Sequence, residues 1–211
     1  MQVSAKTLPE PLPDSGDASR FVDKSTGKTI AKVLPGYFYV TKHPEEIMTV
    51  LGSCIAACIR DPFAGIGGMN HFMLPIGEND RTDAWGAGMS AANRFGNFAM
   101  ENLINALIKH GAQKNRLEVK LFGGGRVLNI SSDIGAKNIA FVKDYIDVEN
   151  LTVSASNVGD NFARKVIYNP LSGRTRMKRL QESYNGLVVS QENKLLESIK
   201  QEPVAGSVEL F

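Results

Sequence analysis

Apolar and polar positions alternate or cluster along the chain in a way that predicts strands and helices in turn. GYFYVTK (36–42) is aromatic-rich and opens after a Pro-Gly, which predicts a strand. A polar corner follows at His43–Glu46. TVLGSCIAACIRD (49–61) is an almost unbroken apolar run, a buried strand interrupted by Gly52-Ser53. DPFAG (61–65) carries turn residues at both ends, and IGGMNHFMLP (66–75) is a second strand closed by Pro75. The polar, Gly-containing stretch 76–90 reads as a loop.

NFAMENLINALIKHG (97–111) has the clearest helical period, with apolar residues at 99, 103, 106 and 107 flanked by 100, 104 and 108. Lys109 and His110 suit its last turn and Gly111 its cap. Strands are predicted over 116–122 and 151–159, and a second helix over 131–146 behind the capping candidates Ser131, Ser132 and Asp133. A strand and hairpin follow over 164–180, turning at 169–173. Mixed strands and helices predict an α/β (α+β) fold, a layered sandwich of mixed β-sheets with flanking helices. Residues 1–31, rich in Pro, Asp, Ser and Gly at their start, read as a flexible arm. Residues 32–180 read as the domain and 181–211 as a loosely attached tail.

Composition narrows the classes of function. The 211 residues include 43% apolar and 22% charged positions, ordinary for a globular protein. A net charge of +2, from 24 basic and 22 acidic residues, gives no electrostatic case for nucleic acid. No apolar run approaches the roughly 20 residues that span a bilayer, and the first 20 residues carry no apolar signal core. Cytoplasmic location and no membrane insertion are the expectations. Cys54 and Cys58 would stand about 13 Å apart on one strand, too far for a disulfide, so reduced thiols are expected. Two thiols and His43, His71 and His110 contain no zinc spacing, so no metal is expected.

The chemistry lies in the hairpin 49–75. A turn centred near Phe63 sets Cys54 opposite Phe72, within one residue of His71. Directly opposed residues have Cβ atoms about 5 Å apart, and a one-residue bulge would bring the imidazole to the thiol. A neighbouring histidine turns a cysteine into a nucleophile near neutral pH. Backbone N–H groups around Gly52, Ser53 and Cys54 can form an oxyanion hole, with Asn70 a further candidate to bind substrate. A free cysteine in an apolar strand is, however, ordinarily a small core residue, and the residues alone leave both readings open. Cys58 has no nearby histidine and reads as structural. Thr49, an odd number of residues from Cys54, lies on the opposite face unless Gly52-Ser53 turns the chain. Asn138 falls on the apolar face of its helix, where it must find hydrogen-bond partners. Gly123–Gly125 lacks the Lys-Ser/Thr of a phosphate loop. Arg174, Arg176, Lys178 and Arg179 read as a solvated strand edge.

The stretch 49–75, with LGSC followed by GGMNHFMLP, resembles the chemoreceptor glutamine deamidase family, CheD. The likeness continues through FAMENLINALIKHGA (98–112), VKLFGGG (119–125) and IGAKNIAFV (134–142), and covers roughly 36–180. The resemblance implies a Cys-His-Thr hydrolase without a cofactor: Cys54 attacks a receptor glutamine, His71 is its base, and the family's threonine falls on Thr49. It also implies a layered fold related to the deamidating domain of the cytotoxic necrotizing factor toxins. The implied partners are the cytoplasmic helices of chemotaxis receptors and a chemotaxis phosphatase of the CheC type. Two rival expectations stand beside it: a regulatory module that docks a phosphatase or response regulator, and another thiol chemistry such as transglutamination or receptor methylester hydrolysis.

Overall fold

The computed structural model describes residues 8–75, 91–127, 134–181 and 185–201. Among the described residues, ten strands form two five-stranded mixed sheets. The first takes β1 (Ser19–Val22), β2 (Thr29–Lys32), β4 (Glu45–Leu51), β9 (Arg164–Tyr168) and β10 (Thr175–Arg179), in that spatial order. The second runs β3 (Phe38–Thr41), β6 (Ile66–Asn70), β5 (Ile55–Asp61), β7 (Glu118–Gly123) and β8 (Thr152–Val158). Pairing is antiparallel except for β2–β4 and β7–β8.

The layers follow from the alternation within β5. Its odd residues Ile55, Ala57 and Ile59 join a core built with helices α1 (Ala91–Lys109) and α2 (Ile134–Val148). Its even residues Ala56 and Cys58, with Cys54 just before the strand, join a second core. That core also takes Ile47 and Leu51 from β4 and Val166 and Tyr168 from β9, so it fills the space between the sheets. A strand covered on both faces must be apolar throughout, which accounts for the run from Ile55 to Ile59. The molecule is therefore a helix layer on a sheet on a sheet, as the pattern predicted.

The turn from β5 to β6 sets the register of the site. Asp61 accepts from the N–H groups of Phe63 (2.9 Å) and Ala64 (3.1 Å), and Gly65 has φ of +62°. Asp61 pairs with Ile66, leaving four residues in the loop. An even loop shifts the pairing half a residue from a turn centred on Phe63. Ile55 consequently faces Phe72, through two N–H···O bonds of 2.9 Å.

Two expectations about the ends change. The arm enters the first sheet from Ser19, because β1 and β2 pair and Ile30 and Ala31 are buried. The tail contributes α3 (Asn185–Gln201), which buries Val188, Glu192 and Leu196, spaced one helical turn apart. Residues 76–90, expected as a loop, and the capping candidates 131–133 lie outside the described residues.

Candidate active site

Leu51 ends in the first sheet and Ile55 starts in the second, so Gly52-Ser53-Cys54 carries the chain between layers. This crossing resolves the parity of Thr49. On β4 it shares a face with Ile47 and Leu51, which point between the sheets. Cys54 and His71 point into the same space from the other sheet, His71 in step with Met69 and Met73. All three are buried. The observed register places Cys54 opposite Met73, two residues along from His71. They are diagonal neighbours on one face, roughly 7 Å apart at the backbone, and no bulge is needed.

The tautomer of His71 can be assigned from its surroundings. Thr49 Oγ1 lies 2.9 Å from the Val33 carbonyl and 2.8 Å from His71 Nδ1. A hydroxyl has one hydrogen, and a carbonyl can only accept. Thr49 therefore donates to Val33 and accepts from Nδ1–H. That leaves the lone pair on His71 Nε2, which is buried without a hydrogen-bond partner. Burial pushes the imidazole pKa down to about 3, so the ring is neutral at physiological pH. A neutral imidazole with a free Nε2 can take a proton.

The crossing turn is gripped from behind. The carbonyl of Gly52 accepts from Gly125 N–H (2.7 Å) and that of Cys54 from Gly124 N–H (2.8 Å). The Ser53 carbonyl accepts from Asn138 Nδ2 (2.8 Å), whose Oδ1 takes Leu74 N–H (2.8 Å). Gly123 has φ of +115°, and a Cβ there would come 2.0 Å from the Cys54 carbonyl oxygen. The glycine triplet is thus a backbone buttress for the cysteine turn, and Asn138 is its side-chain clamp.

With the three carbonyls held, the three N–H groups converge elsewhere. Those of Gly52, Ser53 and Cys54 donate to the Glu192 carboxylate at 3.0, 3.1 and 3.1 Å, and Ser53 Oγ donates at 2.8 Å. The turn is an anion-binding concavity, built from the groups singled out as oxyanion donors. Burial, and next the negative charge of the Glu192 carboxylate, pushes the Cys54 thiol well above its ordinary pKa.

Asn70 does not join this turn, though it lines the cavity beside His71. Its Oδ1 accepts from Ala57 N–H (2.8 Å) and its Nδ2 donates to the Ala99 carbonyl (3.1 Å), tying the second sheet to α1. Cys58 sits four residues further along on the same face, opposite Met69, and is buried. Glu192 carries no sequence signal for this role, because nothing in the pattern of a tail ties it to a turn 138 residues away.

A cavity of about 380 Å³ opens beside His71, walled by Gly36, Phe72 and Phe95, with Leu195 of α3 at its rim. A second, of about 210 Å³, reaches Thr49 beneath Val188. Among the described residues no group of His, Cys, Asp and Glu could hold a metal ion.

A buried thiol and a neutral imidazole share one sheet face here, with a hydroxyl behind the ring and an anion-holding turn at the thiol. That arrangement can do the acyl-transfer chemistry of a cysteine hydrolase. Residues 73–179 match the family described as CheD chemotactic sensory transduction, and the chain belongs to this family. It is 51% identical to the probable chemoreceptor glutamine deamidase CheD of Hydrogenovibrio crunogenus, over 90% of this chain and 98% of that one. It is 47% identical to the protein of the same name from Halorhodospira halophila, over 97% and 95% of the two chains. The corresponding protein of Hahella chejuensis is 43% identical over 99% of both.

Proposed function

We infer that this chain, like the relatives it matches, is a chemoreceptor glutamine deamidase, with Cys54 as nucleophile, His71 Nε2 as base and Thr49 as the residue that orients the ring. The observation that supports this assignment most is the buried, unpartnered Nε2 of His71 on the face that Cys54 shares.

The Cys54 thiol proton passes to His71 Nε2 as sulfur bonds to the side-chain amide carbon of a receptor glutamine. The carbonyl oxygen takes up the negative charge and accepts from the N–H groups of Gly52, Ser53 and Cys54. The C–N bond breaks as His71 returns its proton to the leaving nitrogen, and ammonia departs from a thioester. Water, giving a proton to Nε2, attacks the thioester carbon. The C–S bond breaks, glutamate leaves and the thiol is restored. Each anionic stage would meet donors already fixed in place, which is where such sites gain most.

The reaction takes place in the cytoplasm, on the cytoplasmic helices of the receptors. No described helix of this chain is long and apolar enough to cross a membrane. A phosphatase of the CheC type is the regulatory partner we expect. Trapping tests the thioester: with hydroxylamine present, receptor glutamine should convert in part to a hydroxamate, heavier than glutamine by one oxygen, and only with Cys54 intact. Methanol release from methylated receptor without ammonia release from glutamine would support an esterase instead.

A further inference from the structure

The carboxylate of Glu192 fills the site's anion-binding turn. A glutamate side chain is also what the proposed reaction leaves behind. On that reading of the activity, we propose that α3 is an intramolecular product analogue: it lies where a substrate helix docks, with Glu192 in the place of the newly formed glutamate, and it must swing out before a receptor glutamine can enter.

Three observations carry this beyond an ordinary cap. First, Glu192 is 1% exposed and sits at the centre of an otherwise apolar helix stripe, Val188–Glu192–Leu196. Burying a carboxylate there is costly unless donors replace its water. Its donors are the three N–H groups and the hydroxyl of the cysteine turn, the nucleophile's own N–H among them. A glutamine side chain has the same length, and its carbonyl oxygen can accept the same N–H bonds.

Second, clefts flank the seated helix on both sides of its buried stripe. Cavities lie under its N-terminal half, at Leu187, Val188 and Gln191, and beside its C-terminal half, at Leu195 and Ser198. Third, α3 covers the functional groups directly. A Cβ on Gly52 would meet Glu192 Oε1 at 2.8 Å and Val188 Cγ1 at 2.9 Å, so the helix rests on the turn with no room for a second chain. With it seated, Cys54 has no solvent exposure and its thiol is held protonated.

The test uses the full-length chain. In Glu192→Gln the helix would deliver an amide to Cys54. Residue 192 should then be recovered as glutamate by peptide mass spectrometry, and should keep its amide in the double variant Cys54→Ala/Glu192→Gln. Persistence of the amide in a preparation that deamidates a receptor fragment would overturn the proposal while leaving the activity intact. Failure of both reactions would remove the proposed activity and this inference with it. Independently, Glu192→Ala should raise Cys54 alkylation by iodoacetamide, and the rate on a receptor fragment, by about tenfold or more as the open state becomes populated. Wild-type rates in both assays, with the fold intact by circular dichroism, would reduce Glu192 to a structural cap and refute autoinhibition.

Discussion

Thr49 Oγ1 and His71 Nδ1 meet at 2.8 Å across the interior, one from each sheet, and the Val33 carbonyl fixes which of them carries the proton. The pair joins the two layers at the point where the chemistry is placed.

Removing the hydroxyl should therefore cost activity through the imidazole. Thr49→Val keeps the shape but leaves Nδ1–H without its acceptor. We expect kcat on a receptor fragment to fall about 10- to 100-fold, the scale on which loss of a hydrogen bond that orients a metal-bound histidine acts, with KM little changed. Thr49→Ser should recover most of the rate. Equal activity of the Val variant and wild type would remove Thr49 from the site.

Asn138 should behave as a positioning residue. Asn138→Ala strands the Ser53 carbonyl and the Leu74 N–H, both inside the protein. Stability should drop by about 2 kcal/mol or more, measured by urea unfolding. Asn138→Asp cannot donate to Ser53 and would set a negative charge beside a carbonyl, so its kcat should fall further than its KM rises. A normal kcat in both variants would show that the turn holds itself without the clamp.

His71 makes stability depend on pH. Its folded pKa is depressed to about 3 by burial, against 6.5 for an ordinary histidine. As pH falls, the unfolded chain takes up this proton before the folded one does. The contribution is complete above the unfolded value and is lost progressively between the two. Urea midpoints at ~pH 8 and ~pH 5 should thus differ more for wild type than for a folded His71→Gln variant. The same difference in both would mean that the ring does not titrate out of its buried state.

Much of this was legible in the sequence. The apolar run through Ile55–Ile59 announced a doubly covered strand, and the period of 97–111 announced α1. Turn residues at 61–65 announced the hairpin that joins Cys54 and His71. What pattern could not supply was parity and distance. One residue in the turn decides whether Cys54 lies opposite Phe72, with His71 on the other face, or opposite Met73, with His71 diagonal on the same face, and turn composition does not count residues that finely. Thr49 depended on whether Gly52-Ser53 bends within a sheet or between sheets, a tertiary fact. Asn70 and Asn138 were equally polar on paper, yet one ties a sheet to a helix and the other grips the cysteine turn. Glu192 carried no local signal at all, since its partners are backbone groups far away in the chain.

The most direct measurement is the intact mass of a receptor cytoplasmic fragment from the same cell after incubation with the full-length protein, its Cys54→Ala variant and its Cys58→Ala variant. Wild type and Cys58→Ala should each add the mass of replacing NH₂ by OH at particular glutamines, and Cys54→Ala should add none while remaining folded. A gain with Cys54→Ala, or no gain with wild type, would contradict the assignment of Cys54 as the nucleophile of a receptor deamidase.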